Sequence, residues 1–165
     1  MNTDQARAAR VDHDPLTEAV IGCVFKVANA LGSGFLEKVY ENALAFELER
    51  AGLVHQQQVP ISVHYEDRVV GTYIADLVVE GCLLLELKAC RALEEIHTAQ
   101  CLNYLKATRL STCLLINFGL PKPQIKRLSR RPCFRCSSAF ISVHRCSSFN
   151  LLDIGGFLEF PCPSS

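Results

Sequence analysis

The stretch that most constrains the fold is residues 76–89, DLVVEGCLLLELKA. A Leu- and Val-rich run this short, broken by Glu80-Gly81, suits two buried strands joined by a tight turn. Yet it carries Asp76, Glu86 and Lys88. A charge removed from water is costly unless it is paired or bound to a metal, so these side chains must offset that cost. Glu86 and Lys88 are two residues apart and leave a strand on the same face, and a turn at Glu80-Gly81 brings Asp76 back beside Glu86. Two carboxylates held together repel, and one takes up a proton unless a cation lies between them. From these three residues alone, two readings stand level. In one, the carboxylates bind a hard divalent ion such as Mg²⁺, with Lys88 placed to orient or deprotonate a water or to hold a phosphate oxygen. In the other, the lysine and the acids form an internal ion pair with no ligand.

The surrounding periodicity says what such strands pack against. Asp14-Pro15 is a helix start, and Leu16, Val20, Cys23, Val24, Val27 and Leu31 then recur as one apolar stripe up to Gly32-Ser33-Gly34. A second helix, FLEKVYENALAFELERAG, sets Val39, Ala43, Phe46 and Leu48 at apolar positions and stops at Gly52. HQQQVPISVHY and VVGTYIADLVVE read as strands around an EDR turn, and CLLLELKA as a central strand. LEEIHTAQCLNYLKAT is a third amphipathic helix with Ile96, Leu102 and Leu105 apolar, followed by the strands STCLLINFG and KPQIKRL. The order is α-α-β-β-β-α-β-β, an α/β domain with a mixed sheet.

At 165 residues the chain suits one domain. Its polar amino terminus lacks the apolar core of a secretion signal, and no run reaches the roughly 18 apolar residues of a membrane span. A soluble cytoplasmic protein is expected. Charge is distributed unevenly: from Ile96 to Leu152 there is no Asp or Glu, while Lys106, Arg109, Lys122, Lys126, Arg127, Arg130, Arg131, Arg135 and Arg145 are all basic. Such asymmetry suggests an anionic partner, most commonly nucleic acid, against the blander reading of a solvated basic tail.

Two further pairs extend the central constellation. Glu37 and Tyr40 lie three apart on one helix face, and Gln100 and Tyr104 four apart on another. In isolation each pair reads as a solvated helix face with a core or half-buried tyrosine. In order along the chain, however, Gly34, Glu37 and Tyr40, then DLVVEGCLLLELKA, QCLNYLKAT and LLINFG resemble the core of the PD-(D/E)XK nuclease superfamily and its RecB-like branch. Between Leu16 and about Leu128 they are similar to the bacterial family named for its Gly-x-x-Glu-x-x-Tyr motif (GxxExxY). The chain departs from the pattern at Ala75, which precedes Asp76 where the motif has proline.

That resemblance implies a single restriction-endonuclease-like domain over residues 14–128, between a flexible segment 1–13 and an irregular Cys/Ser-rich tail 129–165. It implies that Asp76 and Glu86 bind Mg²⁺ or Mn²⁺, with the Leu87 carbonyl completing the inner shell and Glu37 contributing through a water on the metal. Lys88 would position the attacking water, and Gln100 and Tyr104 would steady the site or the scissile strand. The expected activity is hydrolysis of phosphodiester bonds in DNA, or in RNA, by a protein acting as a homo-oligomer or in a larger complex. The alternative is a non-catalytic nucleic-acid-binding accessory protein of the same fold in a repair or defence complex. Lys122, Lys126 and Arg127 are the expected contacts to the phosphate backbone. In the tail, Cys133, Cys136, His144 and Cys146 have the residue types of a zinc site. With Cys23 as an early partner, Cys133, Cys136 and Cys146 also resemble the iron–sulfur staple of some RecB-like nucleases. A tail without metal is the preferred reading over both.

Overall fold

Asp14 opens the first helix as the sequence predicts: its carboxylate accepts from the Leu16 amide at 3.2 Å and the Thr17 hydroxyl at 2.6 Å, with Pro15 in the first turn. The structure, a computed structural model, describes residues 14–130. The elements are α1 (Pro15–Leu31), α2 (Glu37–Arg50), β1 (His55–Tyr65), β2 (Arg68–Val79), β3 (Leu83–Lys88), α3 (Glu95–Thr108), β4 (Thr112–Asn117) and β5 (Gln124–Ser129), in the expected order. No described helix is long and apolar enough to cross a membrane. The cysteines proposed above as tail ligands, Cys133, Cys136 and Cys146, and His144 lie outside the described residues.

The five strands form one sheet in the order β1-β2-β3-β4-β5, with β3 and β4 parallel and every other pair antiparallel. The parallel step follows from the connection, because α3 carries the chain from the end of β3 back to the start of β4. Two cores result. Leu77, Val79, Leu83, Leu85, Leu87, Leu114 and Ile116 pack with α1 and α2, whereas Leu84, Cys113, Leu115 and Leu128 pack with Cys101, Tyr104 and Leu105 of α3. β3 and β4 are buried on both faces, hence their unbroken apolar runs.

The apolar stripes of α2 and α3 differ from expectation. Val39 and Phe46 are 40% and 58% exposed, and the row that meets the sheet is Tyr40, Leu44 and Leu48, with Glu41 and Ala45 beside it. On α3, Ile96 is 67% exposed and Leu102 faces outward, while Cys101, Tyr104 and Leu105 are buried. Both helices spend a buried position on a polar group, so apolar residues alone misplace the face. Cys23 lies in the first core, its thiol donating to the Glu47 carbonyl at 3.6 Å, and burial pushes its pKa up.

Candidate active site

Strand alternation sends Leu85 and Leu87 toward α1 and α2, and therefore Glu86 and Lys88 toward the α3 side. The Lys88 ammonium donates to Glu86 Oε1 at 2.7 Å. The other oxygen, Oε2, is buried with no hydrogen-bond partner. The β2–β3 ladder ends at Leu77↔Leu85. One step on, the Asp76 side chain takes the place of a strand neighbour, its Oδ2 accepting from the Leu87 amide at 2.7 Å. From α2, Glu37 reaches to the same strand end, where its Oε1 accepts from the Ala89 amide at 3.2 Å. Three carboxylates and one ammonium thus meet where β3 leaves the sheet. Glu37 and Asp76 share a cleft of about 510 Å³ with Phe35, Leu36, Lys38, Glu41, Gln58 and Ala89.

The scaffold behind the cluster accounts for other quoted residues. Gly34 has φ of 114°, a conformation that side chains avoid, in the turn that delivers Glu37 to the start of α2. The buried Tyr40 holds that turn from inside: its hydroxyl donates to the Gly32 carbonyl at 2.8 Å and accepts from the Phe35 amide at 3.2 Å, and its ring stacks on Phe118 at 4.6 Å. Asn117, fully buried, accepts from the amides of Cys90 and Gly119 at 3.0 Å each and donates to the Cys90 carbonyl at 2.9 Å, pinning the loop that follows Lys88. A Cβ on Gly119 would collide with the Cys90 carbonyl, so the approach requires glycine.

Burial pushes the Glu86 carboxyl up to about 7, and the Asp76 charge adds to the rise against the opposing pull of Lys88. Burial also raises Asp76, opposed by the Leu87 hydrogen bond and Lys88. Burial disfavours the Lys88 cation, but the bond to Glu86 and the charges of Glu86, Glu37 and Asp76 outweigh it, so its pKa moves upward. One ammonium therefore does not balance the site: burial and the Asp76 charge hold the Glu86 carboxyl well above the ordinary carboxylate range despite Lys88. Among the described residues no three His, Cys, Asp or Glu side chains converge tightly enough to cage an ion by themselves. Two neighbouring carboxylates with one buried, unpartnered oxygen nevertheless fit a hard divalent cation that completes its shell with backbone oxygen and water.

Gln100 and Tyr104 form a pair on α3: Gln100 Nε2 donates to Tyr104 Oη at 2.6 Å, and Tyr104 Oη donates to the Ile74 carbonyl at 3.3 Å. Burial raises the tyrosine pKa, with Glu86 contributing, so the phenol stays protonated near the acids. His97, by contrast, closes a capping box with Glu94. Of the expected backbone contacts, Lys126 donates to Thr98 at 3.1 Å on the α3 side, whereas Arg127 lies 3.9 Å from Asp14 at the start of α1. The two therefore leave β5 on opposite faces. Lys126 stands in register with Leu115, and Leu115 with Glu86, which puts Lys126 roughly 10 Å across the sheet from the cluster. Lys122 is exposed before β5.

Sequence reasoning missed Glu41, Gln57, Gln58 and Asn117. Glu41 had a signal, since it lies one helical turn after Glu37. Gln58 had none, because its place depends on β1 pairing with β2. Residues 14–128 match the family model described as the PD-(D/E)XK nuclease superfamily. No curated protein and no solved structure matches the chain.

Proposed function

The chain belongs to the PD-(D/E)XK nuclease superfamily, and from that premise we propose that it is a divalent-metal-dependent nuclease that hydrolyses phosphodiester bonds in DNA. The observation that carries the reading is the buried, unpartnered Oε2 of Glu86 beside Asp76, with Lys88 engaged on Oε1 alone. A buried ion pair is favourable only when further hydrogen bonds satisfy the remaining lone pairs, so the open oxygen supports a cation ligand over a self-sufficient pair.

Asp76 and Glu86, together with the Leu87 carbonyl, would hold Mg²⁺ or Mn²⁺, and Glu37 would contribute through water. When bound, such an ion would supply positive charge to the phosphoryl oxygens and lower the pKa of a water. Lys88, with its pKa raised, acts as an ammonium: it orients the attacking water or holds a non-bridging phosphate oxygen. Gln100 and Tyr104, bonded to each other and to the β2 backbone, steady the scissile strand from the α3 side. Gly34, Glu37 and Tyr40 suit the GxxExxY branch, because the glycine and the tyrosine together hold the turn that presents the glutamate.

The test is cleavage of plasmid and of single-stranded oligonucleotides in Mg²⁺, Mn²⁺ or chelator, comparing wild type with Lys88→Ala. Metal-dependent cutting that the variant lacks supports the reading. Binding without cutting in any metal would favour a non-catalytic accessory role.

A further inference from the structure

Glu41 is 3% exposed, unusual for a carboxylate on a helix that borders solvent. Both its oxygens are used: Oε1 accepts from Lys38 Nζ at 2.7 Å and Gln57 Nε2 at 2.9 Å, and Oε2 accepts from Gln58 Nε2 at 2.8 Å. The residue it grips is itself irregular. Gln58 has φ of 53°, in the left-handed region that a side chain disfavours, in the middle of an eleven-residue strand.

The neighbours of that irregularity are informative. Gln57 pairs with Leu77 and Val59 with Ala75, which would set Gln58 opposite Asp76, yet no pairing joins those two. β2 also changes face there. Ala75 and Leu77, two residues apart, would share a face in a regular strand, but Ala75 packs into the α3-side core and Leu77 into the other. The β2–β3 ladder stops at the same point. Asp76 is therefore the residue at which both ladders of β2 are interrupted, and its carboxylate is turned to the Leu87 amide. Kinks of this kind recur beside active sites, where they re-aim a side chain.

We propose that Glu41 is a positioning residue: by holding Gln57 and Gln58 from below, it locks the left-handed kink at Gln58 that frees Asp76 from the β1 ladder and aims its carboxylate at the end of β3. The inference rests on the nuclease reading for what Asp76 then does, but the positioning itself has a metal-independent signature, the Leu87 amide bonded to Asp76 Oδ2.

The experiment is amide hydrogen exchange by NMR on the full chain in chelator, followed by the Mn²⁺ concentration that half-saturates the rise in melting temperature. Glu41→Ala and Gln58→Val, whose β-branched side chain resists positive φ, should each lower Leu87 protection at least tenfold while Leu84 and Leu114 keep theirs. The Mn²⁺ midpoint should rise at least fivefold. Gln58→Gly, which adopts the kink without help, should keep Leu87 protected and should restore it when added to Glu41→Ala. Wild-type Leu87 protection in both Glu41→Ala and Gln58→Val would overturn the proposal, and so would an equal loss at every amide, the mark of a merely structural role. If Leu87 responds as expected but the wild type shows no Mn²⁺ effect, the metal reading fails and the positioning role stands.

Discussion

Replacing Lys88 with methionine separates chemistry from ion-pair stability. If Lys88 chiefly balanced the acids, its loss would strand buried carboxylates and destabilise the fold by several kcal/mol. With metal to balance them instead, Lys88→Met should fold in Mg²⁺ and bind DNA while hydrolysis falls roughly a hundredfold or more, as single-turnover cleavage would measure. Glu86 makes a second expectation. Its folded pKa of about 7 lies above its ordinary 4.5, so between those values the native state keeps a proton that the unfolded chain has lost. The stability this contributes is fully present below about pH 4.5 and is lost as pH rises through about 7. Asp76 shifts in the same direction. Urea unfolding in chelator should therefore show lower stability at pH 8 than at pH 5, by on the order of 3 kcal/mol from Glu86, and saturating Mn²⁺ should shrink the difference.

At the scale of elements, the site depends on two turns held from within the core. Tyr40→Phe keeps the stack on Phe118 but loses both hydroxyl bonds to the turn before α2. It should cost about 1–2 kcal/mol in urea unfolding and weaken Mn²⁺ binding through a looser Glu37. Gly119→Ala forces β4 away from Cys90 and should cost about 1–3 kcal/mol, as overpacking does. Because that loop follows Lys88 directly, cleavage should fall in the same variant by more than stability alone explains.

For the molecule as a whole, the sheet decides which basic residues can act together. Lys126 shares the α3 side with Glu86, while Arg127 turns toward Asp14. Lys126→Ala should flatten the salt dependence of DNA binding by about one released counterion. Arg127→Ala should leave that slope unchanged. Fluorescence anisotropy across a salt series measures both, and equal effects would mean that the DNA wraps the β5 edge.

The order of elements was legible in the sequence, because strand and helix periods are local and Asp14-Pro15, Glu80-Gly81 and the Gly32–Gly34 turn mark their ends with short-range chemistry. So was the same-face placement of Glu86 and Lys88, which needs only the two-residue repeat of a strand. The buried faces of α2 and α3 were not, since burial there falls on Glu41, Tyr40 and Tyr104, whose polar atoms each also need a partner outside their own helix. Nor was which of Lys126 and Arg127 faces α3, since the strand repeat sends neighbours to opposite faces but only the pairing of β5 with β4 decides which face each takes. The tertiary structure alone decided that Asp76 leaves both ladders and that Glu86 keeps one oxygen unpartnered. Register and solvent exclusion arise between segments far apart in the chain, and no local pattern encodes them.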